Sequence, residues 1–160
     1  MILYLDTSAL VKLYDLEEGR DLVEQAVDEA AVLTTSSVAY AEARVSLARK
    51  RREEVFSGEE LREAVAALDE DWQTFETFAV TENVARLAGD LAEGHYLRGF
   101  DAIHLATALL IRAATVEEAG EEAEDTTRFL SFDGYLSQEA EKTMRIYETG
   151  PRQDDSRQGS

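Results

Sequence analysis

Four acids in this chain stand against apolar sequence, where a solvated acid is least expected. Asp6 closes the run ILYL, Glu42 lies inside VAYAEARVSLARKRR, Asp101 opens DAIHLATALLIRAA and Asp133 closes FLSF. Carboxylates brought to one place can move protons, or can hold a hard cation that activates water and neutralises charge on a phosphoryl group. The chain has no cysteine and two histidines, His95 and His104. That excludes disulfides, thiolate zinc sites and any site built from several histidines. A metal would be held mostly by oxygen, and hard oxygen ligands favour Mg2+ or Mn2+. No glycine-rich phosphate loop, zinc-ligand spacing or Ser-His-Asp arrangement supports another chemistry.

Each of these residues also has a plainer reading. Asp6 and Asp133 suit turns or helix caps, Asp101 suits an ordinary N-cap worth about 1 kcal/mol, and Glu42 suits a surface position. Thr7 and Ser8 either orient a water or a carboxylate, or satisfy the turn backbone. His104, three residues beyond Asp101, either bonds to the site from a nearby face of the same helix or packs with one satisfied nitrogen. Trp72 and the phenylalanines read as core and not as platforms for bases. Arg49, Lys50, Arg51 and Arg52, with Lys12 and Arg44, are the one concentration of positive charge. They either complement a helix dipole or contact phosphates without sequence preference.

Apolar periodicity gives the elements that must position these groups. Ile2 to Leu5 reads as a buried strand, followed by a turn at Asp6, Thr7 and Ser8 and a helix through Val11 and Leu13. Leu22, Val23, Ala26 and Val27 mark a second helix, and Ala31 to Leu33 a second strand. One of the hydroxyls at 34–37 is expected to cap the helix carrying Glu42, whose predicted stripe is Val38, Ala41, Val45 and Ala48. Leu61, Val65, Leu68 and Trp72 mark a further helix, and Thr77 to Val80 a short strand. Val84, Leu87, Ala88 and Leu91 mark a helix capped by Thr81 and broken around Gly94. DAIHLATALLIRAA, apolar on most of its surface, reads as a central helix. Residues 115–127 form an acidic insert, either a surface loop or a helix extension followed by a loop. Phe129 to Phe132 reads as a strand closing directly on Asp133, Gly134 to Lys142 as a helix, Met144 to Tyr147 as a last strand, and 150–160 as a disordered tail. The alternation implies an α/β domain with a mostly parallel sheet and a site beyond the carboxyl ends of its strands.

A chain of 160 residues is one domain's worth, here 1–149. Sixteen basic against thirty-four acidic residues give a net charge of -18, and such a surface repels nucleic acid at ordinary ionic strength. In molar salt the Debye length falls to about 3 Å or less, so the low lysine content and the spread of acids suit a protein of a halophile. No basic leader precedes Asp6 and the longest apolar run is interrupted at Thr107, so a cytoplasmic protein with no membrane span is expected.

With these pieces in order, the chain resembles the PIN-domain ribonucleases and, more narrowly, the toxin component of VapBC toxin–antitoxin pairs. YLDTSALVKLY is similar to the family's first motif, with Asp6 and a hydroxyl from Thr7 or Ser8. TTSSVAYAEARVSLARKRR resembles the second, with Glu42, RGFDAIHLATALLI the third, with Asp101, and FLSFDGYL the last, with Asp133. The likeness runs from Leu3 to about Tyr147 and departs from the family at the acidic insert and in net charge. It implies a three-layer α/β/α fold, a magnesium-dependent endoribonuclease, an RNA substrate, a cognate antitoxin and a homodimer. On that basis Asp6 and Asp101 are assigned direct metal contact, and Asp133 direct or water-mediated contact. Glu42 is assigned a metal contact or the positioning of the attacking water. A stand-alone RNA-processing nuclease and a catalytically inactive binding module are the alternatives.

Overall fold

In the computed structural model, which describes residues 1–148, β1 (Ile2–Leu5) is an inner strand of a sheet of order β3-β2-β1-β4. The other strands are β2 (Val32–Ser36), β3 (Glu76–Phe78) and β4 (Thr127–Leu130), and every pairing is parallel. Between them run α1 (Thr7–Leu10) with a 3-10 turn at Val11–Tyr14, α2 (Arg20–Glu29), α3 (Val38–Arg52), α4 (Gly58–Trp72), α5 (Glu82–His95), α6 (Gly99–Ala119) and α7 (Gly134–Glu141). Strand side chains alternate between faces. Leu3, Leu5 and Leu130 therefore pack with Leu10, Val23, Ala43, Leu47 and Leu68 on one side, while Tyr4 and Phe129 pack with Val84, Ala88, Leu105 and Leu136 on the other. The result is the expected three-layer α/β/α arrangement. By length and composition α6 could cross a membrane, but here it is a core helix, burying Ala102, His104, Leu105, Ala106, Ala108 and Ile111.

Several boundaries differ from the sequence reading. Thr34, Thr35 and Ser36 extend β2, because Thr34 Oγ1 and Thr35 Oγ1 donate to the carbonyls of Leu3 and Leu5 at 3.2 and 2.7 Å. The residue before α3, Ser37, makes no side-chain cap; the hydroxyl that meets the helix start is Ser36 Oγ, which accepts the Val38 amide at 3.4 Å. The inward stripe of α3 is Ala39, Ala43 and Leu47, all fully buried. Val45, placed in the predicted stripe, is 58% exposed. Thr81 does cap α5, but that helix continues through Gly94 to His95 and ends on Tyr96 in the left-handed region, φ 54°. The acidic insert is a helix extension followed by a 3-10 turn, Glu121–Thr126, pinned to the body by the Arg112–Glu124 pair and by Asp125 with Arg145. The Met144 to Tyr147 strand reduces to one parallel bridge between Phe129 and Ile146, because only Phe129 exchanges hydrogen bonds with that segment, at Arg145 O and Tyr147 N. The disordered tail expected at 150–160 lies outside the described residues.

Candidate active site

Asp6 leaves β1 at its carboxyl end and begins α1, where the Ala9 amide donates to its Oδ1 at 2.9 Å. Ser8 Oγ donates to the same oxygen at 2.7 Å, and Ser131 Oγ to Oδ2 at 2.6 Å. Asp6 is 3% exposed. Burial pushes its pKa up; the nearby His104 and the hydrogen bonds from Ser131, Ala9 and Ser8 oppose that but do not cancel it. Ser131 and Ser8 also accept the amides of Asp133 and Phe132, at 3.0 and 2.8 Å. Those bonds draw the chain off β4 before it reaches Asp133, which stands beyond Ser131 and Phe132 and not directly at the strand end. There Asp133 caps α7, accepting the Leu136 amide at 2.9 Å.

Glu42 is held from the other side. Its Oε1 accepts Thr7 Oγ1 at 2.7 Å and His104 Nε2 at 2.8 Å. Burial works to raise the Glu42 pKa, but the bonds from His104 and Thr7 outweigh it and hold the carboxyl below its ordinary value. Behind it, His104 Nδ1 lies 2.9 Å from the Tyr4 hydroxyl. Burial pushes Tyr4 far up, so the phenol stays protonated, and because an ionised Glu42 only accepts, His104 Nε2 carries the proton given to it. Two acids in one pocket are thus set apart, Asp6 raised and Glu42 lowered, by burial on one side and donors on the other.

Asp101 lies in the first turn of α6, and the N-cap of that helix is Arg98, so the plain capping role fails for Asp101. Arg98 Nε donates to Asp101 Oδ2 at 3.2 Å and Nη2 reaches Asp133 Oδ2 at 3.5 Å. Asp6, Thr7, Ser8, Glu42, Asp101, His104 and Asp133 line one pocket of about 650 Å³, with Val38, Val45, Arg49, Arg98 and Phe100 on its walls. The stripe read as core-facing on α3 is in part the wall of this pocket. Every donor offered by the four acids is oxygen, and among the described residues no three acidic or histidine side chains stand close enough to form a metal cage. That arrangement fits a hydrated hard cation taken up by one or two carboxylates at a time, and not an all-protein cage.

The basic residues separate. Arg49 lines the pocket. Lys50 is paired with Asp15 and Glu17, and Lys12 with Glu17 at 3.4 Å, so neither points its charge into the site. Arg44 and Arg52 line a groove between α3 and α4 instead, and Arg51 is exposed outside the pocket. Sequence reasoning missed Arg98, Ser131 and Tyr4. It also took Phe100 for core, whereas Phe100 is 55% exposed at the pocket. The signal available was their place at the start of the apolar α6, Arg98 as its N-cap and Phe100 in its first turn.

The fold and pocket define an α/β/α protein with a carboxylate-lined site at the carboxyl edge of a parallel sheet. The PIN domain profile matches residues 3–129, and the chain belongs to the PIN domain family. Ribonuclease VapC45 of Mycobacterium tuberculosis is 36% identical over 110 residues, 69% of this chain and 76% of the relative. Among solved structures, FitAcB from Neisseria gonorrhoeae aligns with a TM-score of 0.63 at 17% identity, over 93% of this chain and 98% of the other. VapC20 of M. tuberculosis, described as a sarcin-ricin loop cleaving toxin, aligns with a TM-score of 0.59 at 18% identity, over 85% and 93%. Both structural matches are likenesses of fold.

Proposed function

We propose that this protein is a divalent-metal-dependent endoribonuclease, the toxin of a toxin–antitoxin pair, acting on RNA and neutralised by a cognate antitoxin. The observation that carries the reading is the meeting of Asp6, Glu42, Asp101 and Asp133 in one pocket of a PIN domain whose relative is a named ribonuclease. One or two at a time of Asp6, Asp101, Asp133 and Glu42 would hold a hydrated Mg2+ or Mn2+, which when bound supplies charge neutralisation at the phosphate and a more acidic water. Glu42, kept ionised by His104 and Thr7, suits the orientation of that water. Ser8 and Ser131 fix both oxygens of Asp6, and Arg49 offers the pocket a positive charge toward phosphate. A net charge of -18 supports an intracellular setting of high salt, where repulsion of RNA is screened, and the family likeness supports a homodimer.

The test is cleavage of labelled total RNA in high potassium chloride. The expected result is cutting with Mg2+ or Mn2+ that EDTA stops and that a folded Asp6→Asn, Asp101→Asn double variant lacks. A folded, antitoxin-free, metal-loaded protein that cuts nothing in total RNA would turn the reading to a binding module.

A further inference from the structure

Arg98 breaks a local rule where α6 begins. Asp6, Ser57, Thr81 and Asp133 open α1, α4, α5 and α7 with a side-chain oxygen that accepts an amide of the first turn. α6, at 21 residues the longest helix among the described residues, opens on Arg98 instead, which makes no side-chain cap. A guanidinium has no acceptor to offer those amides, and its charge stands at the positive end of the helix dipole. The side chain is 83% exposed, so its pairs with Asp101 and Asp133 add little to the fold. A residue that helix initiation disfavours and packing does not need is expected where function asks for it.

Its surroundings say what the charge is for. Arg98 borders the carboxylate pocket and also a second cavity of about 500 Å³, shared with Glu42, Phe100, Asp101 and Ile103. Its nitrogens lie 3.2 and 3.5 Å from Asp101 Oδ2 and Asp133 Oδ2, longer than the roughly 2.7–2.9 Å of a firm charge-assisted bond. One guanidinium is thus divided loosely between two acids. The same acids are offered to a hydrated cation, and two positive charges on the same oxygens repel. Arg98 is the partner free to turn away, on an exposed and flexible stem. Its backbone stays in place, because its carbonyl accepts the Ala102 amide at 2.9 Å, so the guanidinium remains at the pocket mouth. Among the described residues the pocket is lined by two cations, Arg49 from α3 and Arg98 beside Asp101. Lys12 and Lys50 are taken up by acids. A planar guanidinium matches two phosphoryl oxygens at once.

We propose that Arg98 is a catalytic residue with two alternate partners. It pairs with Asp101 and Asp133 in the metal-free protein, and turns to the non-bridging oxygens of the scissile phosphate when those acids hold a cation. The proposal rests on the ribonuclease reading above. In the first position it offsets the repulsion between two neighbouring carboxylates. In the second it places fixed positive charge where negative charge develops during hydrolysis.

The test compares the full chain with Arg98→Ala and Arg98→Lys in cleavage of labelled RNA at saturating Mn2+ in 1 M potassium chloride. Beside it, Mn2+ binding is measured by calorimetry with and without dimethyl phosphate, a minimal phosphodiester. Arg98→Ala is expected to lose about 100- to 1000-fold, chiefly in kcat, and Arg98→Lys to keep part of the rate. Millimolar guanidinium chloride should restore Arg98→Ala and leave the wild type unmoved, which a displaced helix start would not show. Dimethyl phosphate should tighten Mn2+ binding by the wild type and not by Arg98→Ala, because the coupling runs through the guanidinium. Arg98→Ala cutting at the wild-type kcat would overturn the phosphate contact and leave the nuclease standing. So would a lost rate that neither lysine nor guanidinium restores, with dimethyl phosphate acting equally on both proteins. A wild type that cuts no RNA would overturn the nuclease and the contact together.

Discussion

His104 Nε2 lies 2.8 Å from Glu42 Oε1, and the other nitrogen of the same ring lies 2.9 Å from the Tyr4 hydroxyl in the middle of the sheet. The acid at the mouth of the pocket is thereby tied to the innermost strand through one buried ring. His104→Ala removes a packed side chain and one hydrogen bond of the buried Tyr4 hydroxyl, so a loss of roughly 2–4 kcal/mol is expected in urea unfolding. Tyr4→Phe should lose about 1 kcal/mol, and the double variant less than the sum. Glu42 contributes stability that is present above its unfolded pKa and is lost as pH falls through its depressed folded value. That acid-side loss should shrink in His104→Ala; an unchanged acid limb would show that Thr7 alone holds Glu42.

Asp6 has the opposite sign. Its folded pKa is raised by burial, so the native state keeps a proton that the unfolded chain releases, and stability falls as pH rises from the ordinary carboxylate range through the raised value. Asp6→Asn is therefore expected to melt above the wild type at pH 7 to 8, with the gap closing as the buffer is taken below the carboxylate range. Adding Mn2+ at 100 times its Kd should stabilise the wild type by about 2.7 kcal/mol and the variant far less. Calorimetric scans across pH, with and without Mn2+, check both statements. A variant less stable than wild type at neutral pH would contradict them.

How far such a site can be read from sequence depends on which contacts are local. The run ILYL ending at Asp6 and the apolar α6 behind Asp101 carry their own signals, so β1, α6 and the acids at their ends were legible. On α3 two apolar stripes compete, and periodicity cannot tell that Ala39, Ala43 and Leu47 face the sheet while Val45 faces a pocket. Ser131 acts on Asp6 from 125 residues away, and nothing in SFDG announces it. The neutralisation of Lys50 by Asp15 and Glu17 likewise exists only once α3 is laid beside the end of the first helical turn.

Arg98 spans Asp101 and Asp133 while its own side chain is 83% exposed. Such a pair adds little to stability, so Arg98→Ala should move Tm by less than about 2 °C. Its charge, however, competes with any cation approaching the same two carboxylates. The variant is expected to bind Mn2+ roughly threefold to tenfold more tightly in isothermal titration calorimetry. Equal or weaker binding would mean that the guanidinium orients the two acids and does not oppose the cation.

The acids outside the pocket set a different dependence. A net charge of -18 repels itself in the folded state at low ionic strength. The ion pairs that salt would weaken, such as Arg86 with Glu82 and Arg145 with Asp125, are exposed and contribute little each. Screening should therefore relieve more repulsion than attraction. Raising potassium chloride from 0.05 to 2 M is expected to lift Tm by on the order of 10 °C, most steeply at the low end where the Debye length changes fastest. The comparison with potassium sulfate separates screening from salting-out, since at matched ionic strength charge screening is shared and only sulfate strengthens apolar burial. A Tm that stays flat in chloride and rises only in sulfate would mean that the acidic surface is already neutralised by its own arginines and lysines.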